Sequence, residues 1–215
     1  MRNIWTIARR EYKLYFISPV AYVVAFLFMA LLGYFFYMGM GNSIAQAIYG
    51  ASAPTTNIIV SPIVTLLLFS TSAITMRLLA EEARMGTLEL MLTAPVKDWE
   101  LVIGKWLGGF LFMLTLLAAT LIFPIALNMM VEPGIDQGLL LASYLGLTLL
   151  IASLVGLGVG ISSLFSNQIA AFFVSLAVVL ILWIVRPASS SAGGFGVEIL
   201  GYMNLVDHFM GFFRG

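Results

Sequence analysis

Residues 139–165 read LLLASYLGLTLLIASLVGLGVGISSLF, and none of these 27 residues carries a charge. A helix needs about 20 apolar residues to cross a hydrocarbon core of about 30 Å. The strands of a membrane β-barrel would instead alternate polar and apolar residues over about ten positions. Four other apolar runs flank this one along the chain, at residues 20–40, 58–79, 102–130 and 169–185. The sequence therefore predicts an all-α membrane protein, a single polytopic domain over residues 1–215 with five transmembrane helices.

The amino-acid composition supports this class and excludes several others. Hydrophobic residues make up 61% of the chain and charged residues 9%, and the mean hydropathy is +1.06. Soluble domains carry roughly a quarter charged residues. The net charge at pH 7 is zero, so the sequence indicates no general attraction to nucleic acid. Because the chain has no cysteine, disulfides, thiolate metal sites and cysteine nucleophiles are excluded.

The positions of lysine and arginine predict the orientation of the chain. Cytoplasmic flanks of transmembrane helices carry an excess of these residues. Eight of the ten lie before the first span or between the second and third, namely Arg2, Arg9, Arg10, Lys13, Arg77, Arg84, Lys97 and Lys105. We therefore predict that the N-terminus and the linker after the second span are cytoplasmic. The linkers after the first and third spans are predicted to be external.

Both ends of the chain are predicted to lie beside the bilayer rather than across it. Residues 1–17 form a basic amphipathic helix whose apolar face carries Ile4, Trp5, Ile7 and Ala8. Such helices lie at the membrane surface. Residues 186–215 include Glu198, Asp207 and His208, which are costly inside lipid. We predict that this tail is external and contains an interfacial or re-entrant segment.

The sequence lacks the residue patterns of catalytic sites and of ion-coupled carriers. The sequence has one histidine and no Gly-x-x-x-x-Gly-Lys-Ser/Thr loop, so we predict that it is not an enzyme and that any ATP hydrolysis comes from a partner. No metal site is predicted. Ion-coupled carriers usually hold an ionisable residue near the midplane. Here Arg77, Lys105 and Arg186 lie at the ends of the predicted spans, where long side chains extend to the membrane surface.

Two features of the predicted spans bear on packing. Gly156 and Gly160 form a small-xxx-small face that permits close helix contact, either within this chain or with a second copy. Pro124 lies inside the third span. A proline removes one backbone donor, so it is predicted to kink that helix or to open its hydrogen-bond ladder.

The linker over residues 77–101 concentrates the charge of the chain. Arg77 and Glu81 are spaced for an i,i+4 pair on the cytoplasmic extension of the second span, which Gly86 is predicted to end. A short apolar helix then follows, which Pro95 prevents from continuing. Asp98 is predicted to be the N-cap of the next helix. The short helix either lies on the membrane surface or fits a groove on a cytoplasmic partner.

The same linker carries a family resemblance. Residues 82–96, EARMGTLELMLTAPV, with ELVIGK at 100–105, resemble the signature of ABC-2-type permeases. SPVAY at 18–22 and GYFF at 33–36 are similar to the gliding-motility and nitrous-oxide-reductase-maturation branch. In that family this loop carries a coupling helix that docks on the ATPase subunit. The coupling residues implied are Glu81, Glu82, Arg84, Gly86, Thr87, Leu88, Glu89, Leu90, Met91, Leu92, Thr93 and Pro95.

The resemblance has further implications for function. It implies the permease subunit of an ATP-driven exporter in a prokaryotic inner membrane, with ATP and Mg on the partner ATPase subunit and no cofactor in this chain. It also implies a second permease copy or paralogue beside it in the lipid bilayer. Family members usually have six spans, and no sixth apolar run is present here. The alternative is a non-transporting membrane anchor or scaffold for a cytoplasmic complex.

Overall fold

The computed structural model describes residues 2–48, 56–86, 97–131 and 134–189. Every regular element in these ranges is an α-helix. In chain order the helices are α1 (Arg2–Ile17), α2 (Pro19–Ile48), α3 (Asn57–Thr75), α4 (Ala80–Met85), α5 (Asp98–Ala119), α6 (Ile122–Met130), α7 (Gln137–Ser162) and α8 (Gln168–Ser189).

Four helical segments are long and apolar enough to cross a membrane, and a fifth is shorter. The four are Pro19–Ala45, Asn57–Met85, Asp98–Met130 and Gln137–Ser162, and the shorter one is Gln168–Trp183. They correspond in order to the five predicted spans, which confirms the all-α membrane fold. The predicted tail falls mostly on residues 190–215, outside the described ranges.

The second span forms the centre of the bundle. Within the described structure, 67% of an apolar 18-residue stretch of this span is buried, against 17% of the corresponding stretch of the first span. Ile59, Ile63 and Leu67 repeat every four residues on one face of α3 and are fully buried. Because α2, α7 and α8 all pack against α3, this helix is enclosed by protein on most of its circumference.

The close contact of α7 involves a different glycine from the one that the sequence indicated. A Cβ atom on Gly158 would lie 2.6 Å from Cβ of Thr75 on α3, so only glycine fits there. Gly156 and Gly160 lie on the exposed side of α7, and Gly160 has open space around it. A Cβ atom on Gly156 would lie 3.6 Å from Nε1 of Trp106 on α5, and contact of this small face with a second copy stays a prediction.

The third span is broken where the proline pattern predicts it. Helix α5 ends at Ala119 and α6 begins at Ile122. Pro124 has no N–H to donate to the carbonyl of Thr120, four residues earlier. The Thr120 hydroxyl instead donates to the Leu117 carbonyl at 2.7 Å and lies 3.0 Å from the Tyr144 hydroxyl. The predicted opening of the hydrogen-bond ladder is confirmed.

Helix α1 packs against α5 instead of presenting its apolar face to the membrane. Ala8 is fully buried, whereas Trp5 is 58% exposed, so the two residues do not share a buried face. Cβ atoms on Gly104 and Gly108 would lie 2.8 Å from Ile7 and 2.5 Å from Glu11. These glycines let the α1 backbone approach closely. The helix itself was predicted, and its packing against α5 sets its direction relative to that helix.

Candidate functional site

The described part of the predicted coupling loop consists of its two ends. Glu81, Glu82, Arg84 and Gly86 lie on or just after α4, before the loop. Gly86 has φ +68° and closes α4 in the left-handed conformation, which confirms its predicted role as the helix end. The segment 87–96 lies outside the described residues, and with it the predicted coupling residues Thr87, Leu88, Glu89, Leu90, Met91, Leu92, Thr93 and Pro95.

Backbone N–H groups at the start of α4 donate to a side chain of α7, a helix far away in the sequence. The predicted continuous helix from the second span is interrupted, because α3 ends at Thr75 and α4 starts at Ala80. The backbone N–H groups of Leu79 and Ala80 both donate to the Ser162 hydroxyl of α7 at 3.1 Å. The same hydroxyl donates to the Met76 carbonyl at 3.1 Å. Ser162 therefore satisfies three backbone groups that the helix break would leave unpaired.

Arg77, in this break, joins the junction of α3 and α4 to that of α1 and α2. Its guanidinium lies 4.6 Å from the centre of the Tyr15 ring and donates a hydrogen bond to the Ser18 hydroxyl. Burial raises the pKa of the Tyr15 phenol, which stays protonated and donates to the Ile74 carbonyl at 3.2 Å. Arg77 was predicted to extend to the membrane surface. It is instead half-buried, because an aromatic face and a hydroxyl receive it.

A buried charge cluster, which comprises Glu11, Glu82 and Lys105, connects α1, α4 and α5. The Nζ of Lys105 lies 2.9 Å from Oε1 of Glu11 and 2.7 Å from Oε1 of Glu82. Lys105 is 1% exposed, so the prediction that it extends to the membrane surface is wrong. The reason is the approach of α1 at Gly104 and Gly108, which covers the lysine and brings Glu11 to it.

The cluster also determines where the coupling-loop carboxylates point. Glu82 is 7% exposed and faces inward, so a contact with a partner would require its ion pair with Lys105 to break. Glu81 is half-buried and Arg84 is exposed on the same helix. Of the charged residues predicted for coupling on α4, Arg84 is the most accessible to another subunit.

The other end of the loop is attached to α1 as well. Helix α5 begins at Asp98 and its N-cap is Lys97, one residue before the predicted N-cap Asp98. The Glu100 carboxylate accepts from the Lys97 backbone N–H at 3.3 Å, as in a capping box. The same carboxylate oxygen accepts from the Asn3 side-chain amide of α1 at 3.1 Å. The α5 end of the 87–96 segment therefore binds α1 directly, and the α4 end is linked to α1 through Lys105.

We call these attachments the loop base, formed by Asn3, Glu11, Glu82, Glu100 and Lys105. Sequence reasoning did not identify Asn3 or Glu11 as functional, and it assigned Lys105 to the membrane surface. The spacing Gly104-Lys-Trp-Leu-Gly108 was the available signal, since a small-xxx-small pair beside a lone lysine indicates a close helix contact over that lysine. Opening a buried ion pair of this type costs about 3–5 kcal/mol. The loop base is therefore a rigid support.

Comparison with known proteins identifies a family for the chain. The family model described as ABC-2 family transporter protein matches residues 5–201, which span α1 to α8. No curated protein matches the chain.

Proposed function

The chain belongs to the ABC-2 family of transporter proteins, and on that premise we propose that it is the permease subunit of an exporter driven by a separate ATPase. Residues 87–96 then dock on the ATPase, with Leu88, Leu90 and Leu92 supplying the apolar contacts. Two permease copies form the pathway in a prokaryotic inner membrane, with α1 and the loop base on the cytoplasmic side. ATP and Mg bind to the ATPase.

The observation that supports coupling is the anchoring of both loop ends. A segment that receives force from a partner must pass it to the membrane helices, and a flexible attachment would absorb the movement instead. Here α4 precedes the segment and α5 follows it, and Lys105 pairs with Glu82 across the two. Glu11 and Asn3 of α1 both bind α5, at Lys105 and Glu100, so α4 is linked to α1 through Lys105. Movement of the loop therefore reaches the third span directly.

A second requirement of the proposal is an accessible docking surface. Arg84 and the end of α4 at Met85 are exposed, and Met85 is 57% exposed although it is apolar. An apolar contact at the centre with charged residues at its edge is the usual composition of a protein interface. In the sequence, the leucines of 87–96 follow directly after this surface.

The docking step is tested with Leu90→Asp. An unpaired charge in a contact that excludes water costs several kcal/mol, so co-purification of the ATPase in mild detergent should fall at least tenfold. Glu89→Ala is the matched control, since an exposed ion pair contributes about 0–1 kcal/mol. Full ATPase binding by Leu90→Asp would refute the docking role and indicate that the loop is a membrane-surface element.

The transmission step is tested separately with Glu82→Gln. This variant removes the α4 side of the charge cluster and leaves the leucines unchanged, so the ATPase should still bind while substrate-dependent ATP turnover falls. Glu81→Gln, the neighbouring residue on the same helix, should retain both properties. If the wild type bound the ATPase but reconstituted vesicles showed no transport of any supplied amphipathic substrate, the scaffold alternative would replace the proposal.

A further inference from the structure

A groove between α1 and α5 is lined by residues outside the charge cluster. Its volume is ≈ 650 Å³. Helix α1 lines it with Trp5, Arg9, Tyr12 and Lys13. The α5 wall is mainly apolar and includes Leu111 and Leu114. The groove thus combines two cations and two amphipathic aromatic rings with a hydrocarbon surface.

The two cations are available for an external anion. Arg9 and Lys13 are four residues apart, which places them on one helix face, and both are exposed. The acid between them in sequence, Glu11, points to the other side of α1, where it binds Lys105. Among the residues that the structure describes, neither cation is paired with a carboxylate. Their charge is therefore not neutralised by a carboxylate of the described ranges.

The position of the groove corresponds to the boundary of the bilayer. Along α5, Lys105 is the last charged residue before the apolar stretch that contains Leu111 and Leu114. Tyr15 and Phe16 of α1 reach Phe112 in this stretch, with ring centroids 4.7 Å and 5.7 Å apart. Tryptophan and tyrosine rings are enriched at headgroup level. The cations therefore lie at headgroup depth and the leucines deeper.

We propose that this groove binds one anionic phospholipid of the cytoplasmic leaflet. The phosphate lies between Arg9 and Lys13, and an acyl chain lies along Leu111 and Leu114. The apolar wall selects a lipid over free phosphate, and the two unpaired cations select an anionic headgroup over a zwitterionic one. A bound lipid fills the space between α1 and α5 and so supports the α1 side of the loop base.

The experiment uses the purified permease in mild detergent, titrated with phosphatidylglycerol and observed by native mass spectrometry. Arg9→Gln and Lys13→Gln should each weaken binding about fivefold, which corresponds to about 1 kcal/mol per cation near an anionic lipid. Arg10→Gln is the matched control, because Arg10 is exposed on α1 but does not line the groove. It should change the affinity less than twofold.

Three results would overturn the proposal. An equal loss with Arg10→Gln would show unspecific surface charge. Equal affinity for phosphatidylcholine would show that the cations do not select the headgroup. Displacement of the lipid by millimolar inorganic phosphate would show a free-anion site. Because the measured quantity is lipid binding in the absence of the ATPase, the outcome is independent of the proposed coupling function.

Discussion

Replacing Lys105 with methionine tests the charge cluster most directly. Methionine keeps the unbranched apolar stem of the side chain and removes the terminal ammonium group. Glu11 and Glu82, which are 8% and 7% exposed, then face each other without the group that holds them 2.9 Å and 2.7 Å from its nitrogen. Breaking a buried pair costs about 3–5 kcal/mol. Against a typical total of about 5–15 kcal/mol, this loss is severe.

The contribution of charge is separated from that of packing by a compensated variant. In Lys105→Met combined with Glu11→Gln and Glu82→Gln, no ionised group remains in the cluster, and the shapes of the side chains are retained. Replacement of a whole buried ion pair by hydrophobic residues of similar volume is often close to neutral, and the glutamine amides of this variant likewise carry no charge. We therefore expect the triple variant to recover at least half of the free energy lost by Lys105→Met alone. Lys97→Met, at an exposed lysine, should change stability by less than about 0.5 kcal/mol.

The assay is the free energy of unfolding in mild detergent, followed by tryptophan fluorescence. A loss below about 1 kcal/mol for Lys105→Met would mean that water reaches the three side chains and that the cluster behaves as a surface pair. A triple variant no more stable than the single one would assign the loss to packing. Either result would refute the argument that the buried charges hold the loop base together.

Three further predictions concern packing and topology. Ser162→Ala leaves the N–H groups of Leu79 and Ala80 without their acceptor, so it should lower the unfolding free energy by about 1–3 kcal/mol. Ser163→Ala, at an exposed hydroxyl of the same helix end, should leave the unfolding free energy unchanged. Gly108→Ala places a methyl group 2.5 Å from Cβ of Glu11 and should destabilise by about 1–3 kcal/mol in the same assay, whereas Gly41→Ala has open space and should not. In intact cells a cysteine at Gln137 should react with an impermeant thiol reagent and one at Lys97 should not; reversed labelling would overturn the orientation.

Local sequence features were sufficient to predict the helices, the end of α4 and the break in the third span. Long apolar runs specify helices that span the membrane, Gly86 provides the left-handed closure, and Pro124 removes a backbone donor. Each of these features depends on residues within a turn or two of one another. Such short-range interactions can be predicted from one sequence.

The candidate site depends on contacts between residues far apart in the sequence. Met76-Arg77-Leu78-Leu79 contains no glycine or proline, and the helix breaks there because Ser162, 83 residues after Leu79, accepts its N–H groups. In the sequence Lys105 has the position of an ordinary span-end lysine, and it is buried because α1 covers it. Gly156, Gly158 and Gly160 are chemically identical, and only the position of α3 makes Gly158 the close contact. Tertiary packing decides these points.

The geometry also identifies where the chain can bend if the loop transmits force as proposed. Helix α4 cannot move away from α5 without separating Glu82 from Lys105 in a buried environment. Glu11 and Asn3 extend this constraint to α1, and Arg77 extends it to the start of α2. These elements therefore move as one body. The weakest connection along the third span is then the break at Thr120–Leu121, where the backbone hydrogen bonds of Leu121 and Phe123 run to the third residue before instead of the fourth. Movement at the loop base should accordingly appear as a change of angle between α5 and α6.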